Sequence, residues 1–209
     1  MPVYRKSPAL EEWRTSRLAN IDELRRAHSL VGNAGPGTGA GRPPKAGTQQ
    51  LNEALVLRIV SEFQGFVRDL LDLATIKMIR GAGCSAQFQP QLISAATRDR
   101  MIDRGNPHLD AVATDVGRLG IGQLRSQMQV KNNHHALDVP ALKDLVELRN
   151  ALAHDDQDKV LTLAKAGVRP TMGYVRASHS VLTRHARALD RVVWDYLVVL
   201  FPSADPWSP

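Results

Sequence analysis

The stretch DVPALKDLVELRNALAHDD, residues 138–156, has the pattern of an amphipathic helix. Asp138 is a suitable N-cap because its carboxylate can accept hydrogen bonds from the free N–H groups of a first turn. Pro140 fits near that turn because proline has no N–H to satisfy. Apolar residues recur at steps of three and four, at Leu142, Leu145, Val146, Leu152 and Ala153. This helix is therefore predicted to pack one face in a core.

Arg149 lies among the leucines of that face. A guanidinium is costly to bury unless an anion or a dipolar partner meets it. His154 follows five residues later, so the two side chains point about 140° apart around an ideal helix. They are expected to flank one groove, and the long arginine can curl toward the imidazole if the helix loosens near Asp155.

The residues Arg149, Asn150 and His154 suit attack on a phosphodiester. Histidine takes and releases protons near pH 7, whereas arginine binds phosphate oxygens and stabilises charge that develops on them. Asn150 offers a neutral donor and acceptor that could orient either partner. The alternative is structural: a histidine facing the helix C-terminal dipole and an arginine paired with Asp155 or Asp156.

Composition and charge bound the class of protein. A chain of 209 residues suits one domain. Its net charge of +6 and pI near 9.8 favour an anionic partner, nucleic acid first. The single cysteine, Cys84, excludes an intrachain disulfide and favours a reducing compartment. Because neither a signal peptide nor a membrane span is evident, we expect a cytoplasmic protein without membrane contact.

Helical periodicity dominates the chain. It predicts a first helix from Ser7 to about Leu30, a longest helix from Gln49 to about Arg80 capped by Thr48, and a last one from about Ala177 to Leu200. No stretch alternates with period two between turn residues. We therefore predict an all-α fold: a single domain over residues 1–209, a bundle of long antiparallel helices with extra short helices and an irregular tail at 202–209.

Residues 32–47, GNAGPGTGAGRPPKAG, predict a flexible loop because glycine and proline are frequent and no apolar residue exceeds alanine in size. The spacing does not fit a Walker loop or a dinucleotide-binding loop. A plain linker is one interpretation. In the other, Arg42 and Lys45 bind substrate phosphates.

No metal site is predicted. His134 and His135 could combine with Cys84 or His108, but adjacent histidines point in different directions on any regular element, and no ligand spacing recurs. We expect no cofactor.

The hexapeptide RNALAH, residues 149–154, resembles the Arg-polar-x-x-x-His signature of the HEPN superfamily of all-α domains. The order of a basic first helix, a GAGRPP loop and a long helix with LNEALVLRIVSEFQGFV is similar to its bacterial RiboL-PSP-HEPN-like or MAE-HEPN-like branch. That branch typically has an aromatic-acidic-x-aromatic run in the long helix. Here the acidic place is Gln64, with Glu62 two residues earlier. If the carboxylate of that run normally holds the arginine of the motif, Arg149 must be held in another way.

The resemblance implies a metal-independent endoribonuclease, a toxin or an anti-phage defence effector. The ribose 2′-hydroxyl would attack its own 3′ phosphate and leave a 2′,3′-cyclic phosphate. His154 would handle the proton, Arg149 would stabilise the phosphate and Asn150 would position both. The resemblance further implies a homodimer with the active site at its interface. Some HEPN toxins have a tyrosine two residues after the histidine, which a partner enzyme modifies; Asp156 takes that place here, and an antitoxin or other regulatory partner stays possible. The alternative is a catalytically inactive HEPN-like module that binds RNA, a nucleotide or a protein.

Overall fold

A computed structural model describes residues 3–33, 45–202 and 205–207, with side chains at 3–30, 48–202 and 205–207. It is 78% helical, and the described residues include no strand, which confirms the predicted all-α class. The elements are α1 (Pro8–Glu12), a π-helical turn (Trp13–Arg17), α2 (Leu18–Asn33), α3 (Lys45–Gly81), α4 (Gln89–Thr97), α5 (Met101–Arg104), α6 (Leu109–Arg118), α7 (Leu124–Lys131), α8 (His135–Ala153), α9 (Gln157–Lys165) and α10 (Met172–Leu200). Among these helices, none is long and apolar enough to cross a membrane.

The first helix begins as its sequence predicts. The Ser7 side chain caps α1 by accepting a hydrogen bond from the Leu10 N–H at 3.0 Å, and Pro8 occupies the first turn. The helix continues through the π-helical turn into α2 without a break. This turn brings Trp13 into the core, where its ring meets Phe63 and Phe66 of α3.

Helix α3 is the centre of the bundle, and α2, α8 and α10 all pack against it. Its core face is a series of fully or almost fully buried apolar residues: Leu55, Val56, Ile59, Val60, Phe63, Phe66, Val67, Leu70, Leu71 and Ala74. Helix α2 runs antiparallel to α3, since Asn20 bonds to Glu62 and the earlier Arg17 bonds to the later Asp69. The C-terminal ends of α3 and α10 meet at Gly81 and Phe201, so these two helices run parallel.

Helix α8 runs antiparallel to α10, and a buried ion pair sets their register. Asp138 is 2% exposed and accepts two hydrogen bonds from Arg184 of α10, from Nε at 2.8 Å and from Nη2 at 2.6 Å. Asn132 donates a third, at 2.9 Å. The arginine and the asparagine hold the pKa of the Asp138 carboxyl below its usual range, against the effect of burial.

The prediction that Asp138 is an N-cap is wrong. Helix α8 begins three residues earlier, at His135, so Asp138 lies inside it and Pro140 is its sixth residue. The preceding turn is stabilised by Asn132 instead, whose side-chain oxygen accepts from the His134 N–H at 2.9 Å. The N-cap residue of α8, His134, makes no side-chain capping hydrogen bond, and the Asp138 carboxylate binds Arg184 and Asn132 instead.

The predicted bounds of the loop, residues 32–47, are wrong at both ends. Helix α2 extends to Asn33 and α3 begins at Lys45, so residues 32–33 and 45–47 are helical rather than loop. Thr48 is therefore inside α3 and not its cap. Residues 34–44, including Arg42, lie outside the described residues.

The short helices and the tail cover the bundle. Asp115 of α6 is buried and accepts from the Met101 and Ile102 N–H groups at 2.8 Å, which fixes the start of α5. The described part of the tail has no helix, as predicted, and its Trp207 donates to the Arg5 carbonyl at 3.1 Å. The N-terminal segment is tied to α10 as well, because Tyr4 donates to the buried Asp190 at 2.6 Å.

We predict that acid weakens this fold through His185. This residue is 1% exposed, its ring lies 6.3 Å from that of His135, and burial lowers its pKa from the ordinary 6.5. The Val181 carbonyl, 3.1 Å from Nδ1, and then Asp138 oppose this lowering of the pKa, whereas His135 and Arg184 add to it. As the pH falls, the His185 side chain of the unfolded chain therefore takes up a proton before that of the folded chain. The free energy of unfolding is at its full value above pH 6.5 and decreases as the pH falls below 6.5. For each proton that only the unfolded chain binds, the free energy of unfolding falls by about 1.4 kcal/mol per pH unit.

Urea unfolding between pH 7.5 and 5.5 measures this dependence. We expect His185→Gln to flatten it, and His134→Gln, at an exposed position one residue before α8, to leave it unchanged. An equal slope in wild type and His185→Gln would contradict the prediction.

Candidate functional site

The end of α8 is a Schellman turn that turns the chain back toward α9. His154 is the C-cap, and Asp155 has a left-handed backbone with a φ of 52°. The Asp156 N–H donates to the Ala151 carbonyl at 2.9 Å and the Asp155 N–H to the Leu152 carbonyl at 3.4 Å, the pair of bonds that defines this motif. Aspartate tolerates the left-handed region better than most residues. The turn therefore fixes where His154 leaves the helix.

Helix α9 packs along the last turns of α8. The Asp156 side chain caps α9 by accepting from the Lys159 N–H at 2.9 Å. The Lys159 ammonium then reaches back to Glu147 of α8 at 2.9 Å. This contact lowers the pKa of the Glu147 carboxyl. The cap and the ion pair together hold the two helices on either side of a groove.

An open groove of about 250 Å³ lies between these helix ends. It is lined by Glu147, Asn150, Ala151, His154, Asp156 and Lys159. Asn150 and His154 are four residues apart, so they lie on one side of α8, above the buried Ala151. His154 is exposed, so its imidazole is open to a ligand in the groove. Two of the three predicted catalytic residues thus share one accessible site.

Arg149 does not line this groove. Its side chain is half-buried on the core side of α8, and its only hydrogen bond among the described residues is a long one, 3.4 Å from Nη1 to the Asn150 side-chain oxygen. Its Nε is buried and has no partner. The predicted alternative pairing with Asp155 or Asp156 is not formed: Asp155 accepts from Gln157, and Asp156 caps α9.

The charges in the groove do not by themselves attract phosphate. Two carboxylates, Glu147 and Asp156, face one ammonium, Lys159. A phosphodiester bound there needs further positive charge, from the Arg149 guanidinium or from another chain. The groove of one chain thus contains an imidazole and an amide side chain, and no arginine is among its lining residues.

Glu62 and Gln64 of α3, the two residues at or near the acidic position of the family pattern, do not contact Arg149. Glu62 is buried and binds Arg17 at 2.8 Å, Asn20 at 3.2 Å and Arg58 at 2.5 Å. Gln64 donates to the carbonyls of Ile102 at 2.6 Å and Gly105 at 2.9 Å. Both side chains therefore stabilise helix packing, and neither holds Arg149.

Of the two predicted phosphate-binding residues, Arg42 and Lys45, the structure describes only the backbone of Lys45. Lys45 is the first residue of α3, and α3 begins where the antiparallel α8 ends, so its backbone is at the same end of the bundle as His154. Its side chain and Arg42 are outside the described residues.

The histidines and cysteine weighed as metal ligands are scattered. His108 caps α6, where its Nδ1 accepts from the Ala111 N–H at 3.1 Å, a role that sequence analysis missed. His134 is exposed, and His135 faces His185 in the core. The described residues contain no group of three or more metal-ligating side chains.

Comparison of the chain with protein-family models, curated proteins and solved structures finds no match.

We predict that the backbone at Asp155 sets the position of His154. Glycine adopts a positive φ without strain, so Asp155→Gly should fold with equal or higher stability. Asp155→Val places a β-branched residue in the left-handed region and should cost about 1–2 kcal/mol.

Urea unfolding gives the cost of each change, and the ¹H–¹⁵N shift of His154 reports displacement of the turn. Asp158→Val, an exposed change inside α9, controls for the new side chain. Equal stability of Asp155→Val and wild type would contradict the strained turn.

Proposed function

We propose that the protein is a metal-independent endoribonuclease of HEPN type, a toxin or anti-phage defence effector of the cytoplasm. The observation that carries this proposal is the juxtaposition at the end of α8: Asn150 and His154 share an open groove, and Arg149 beside them has a guanidinium without a carboxylate partner among the described residues. A cation that lacks an internal partner is suited to meet an anion from outside. The overall positive charge favours RNA as the source of that anion.

The reaction is a transfer within the RNA strand. His154 takes the proton of a ribose 2′-hydroxyl as its oxygen attacks the adjacent phosphorus. The bond from phosphorus to the 5′ oxygen of the next nucleotide breaks, and His154 passes the proton it has taken to that oxygen, which leaves as a 5′-hydroxyl. The product keeps a 2′,3′-cyclic phosphate. Arg149 stabilises the charge on the phosphate oxygens, and Asn150 orients either partner.

A homodimer would complete the site. A second copy facing the open groove would bring its own Arg149 and the positive charge that one groove lacks. His154 is exposed in one chain, so a second copy can pack against the end of α8 next to it. Such an interface would also reduce the access of water to the imidazole and the bound phosphate. An antitoxin or other regulator could act by covering the same surface.

Single-turnover cleavage of a mixed RNA pool in EDTA tests the proposal. Wild type should produce 2′,3′-cyclic ends, whereas His154→Ala and Arg149→Ala should each lower the rate at least a hundredfold. His134→Ala is the matched control: an exposed histidine beside the other end of α8, about 30 Å away along the helix axis, that should cleave like wild type. Cleavage retained in His154→Ala would contradict the assignment.

The second candidate is a catalytically inactive module that binds RNA, a nucleotide or a protein. The acidic balance of the groove and the absence of Arg149 from its lining speak against catalysis there, which is the point on which this candidate differs from the first. It predicts affinity for RNA that falls with salt and no cleavage at any concentration of the protein. Salt-dependent binding without products would replace the first proposal with this one.

A further inference from the structure

The groove at the end of α8 has one ammonium among its described lining residues, that of Lys159 on α9. Its Nζ lies 2.9 Å from a carboxylate oxygen of Glu147, which lines the groove from α8. Glu147, and then Asp156, raises the pKa of the Lys159 side chain above its ordinary 10.5, so the ammonium stays charged at neutral pH. The groove therefore contains a cation that an anionic ligand could bind, but an internal carboxylate already holds it.

A second ammonium lies near the same carboxylate. Lys143 is one turn before Glu147 on α8, and its Nζ is 3.9 Å from the other carboxylate oxygen. It is exposed and does not line the groove. Lysine and glutamate four residues apart on a helix are neighbours, so Lys143 can pair with Glu147 when Lys159 turns away. The exchange costs little, because an ion pair open to water is weak.

The start of α9 offers no second place for an anion. A free helix N-terminus attracts anions, and α9 begins beside the groove. Here the Asp156 carboxylate already accepts from the Lys159 N–H at 2.9 Å, so an internal anion caps the helix. In the groove of one chain, a phosphate therefore depends on the side chain of Lys159 and not on the backbone of α9.

The spacing along α8 decides which phosphate Lys159 could bind. Glu147, Asn150 and His154 follow one another at steps of three and four, so they form one line along the groove. Glu147 and His154 are about 10 Å apart along the axis of an ideal helix. An ammonium beside Glu147 is therefore at the far end of the groove from the imidazole, where a neighbouring phosphate of a bound strand would lie.

We propose that Lys159 binds an RNA phosphate next to the one that is cleaved, and that Glu147 holds the Lys159 ammonium in the free protein. When RNA enters, a phosphate oxygen replaces the carboxylate at Lys159, and Glu147 pairs with Lys143. Glu147 thus lowers the affinity for RNA, because binding has to break its contact with Lys159. This inference rests on the proposed nuclease function for the cleaved phosphate, but not for the binding of an RNA strand.

Binding of a fluorescent RNA with 2′-O-methyl groups at every ribose tests the exchange apart from cleavage. In about 0.1 M salt, Lys159→Met should weaken binding about fivefold and Glu147→Gln should tighten it about fivefold, the size expected for one charge near the surface. Lys165→Met and Asp158→Asn are the matched controls on α9: both side chains are exposed and outside the groove lining. Each should change the affinity by less than about twofold.

A double-mutant cycle decides whether Glu147 acts through Lys159. In the Lys159→Met background, Glu147→Gln should change the affinity by less than about twofold, because the contact it removes is already absent. An equal gain from Glu147→Gln with and without Lys159 would mean that its charge acts only at a distance, and would overturn the proposal. Equal affinity of wild type and Lys159→Met, or no binding of the methylated strand by Glu147→Gln, would overturn it as well.

Kinetics on unmodified RNA tests which phosphate Lys159 binds. Lys159→Met should raise KM about fivefold and leave kcat within about twofold, because its phosphate does not react. A lower kcat with an unchanged KM would overturn the assignment to a neighbouring phosphate. If wild type cleaves no RNA, the nuclease proposal fails and the binding cycle alone decides the exchange at Lys159.

Discussion

The ion pair between Asp138 and Arg184 determines how the end of α8 is presented. It joins α8 to α10 at a buried point near the start of α8, and the rest of α8 then extends along α3 and α10 to the opposite end of the bundle. A slip of one helical turn at this pair would shift Arg149 by about 5 Å relative to its neighbours. The geometry of the candidate site thus depends on a contact about 16 Å away from it.

At that end of the bundle, Arg149 lies on the face of α8 that packs in the core, although its guanidinium is charged. Arg149 occupies a position where the periodicity of α8 calls for an apolar side chain, and among the described residues it has one long hydrogen bond, to Asn150, and no carboxylate partner. A structural arginine such as Arg17 is treated differently, since it binds both Glu62 and Asp69. This contrast within one molecule is the physical reason to regard Arg149 as a binding group rather than a packing residue.

Local signals predicted the helices well, and tertiary contacts explain the failures. The apolar period of α3 and the Ser7 cap of α1 depend on neighbours in sequence, so the chain alone indicated them. Asp138 has the local features of an N-cap, but its partner Arg184 is 46 residues away, and no sequence pattern links the two. Two of the residues that line the groove could be predicted, because helical spacing places Asn150 and His154 on one face of α8. The contact between Glu147 and Lys159 could not, because it depends on how α9 packs against α8.

Substitution of the attacking group tests the central claim most directly. One RNA strand would be compared with the same sequence carrying 2′-O-methyl groups at every ribose, under single-turnover conditions in EDTA. The account predicts that wild-type protein binds both strands and cleaves only the unmodified one, because methylation removes the nucleophile and leaves the phosphates in place. Cleavage of the methylated strand at a similar rate would contradict it.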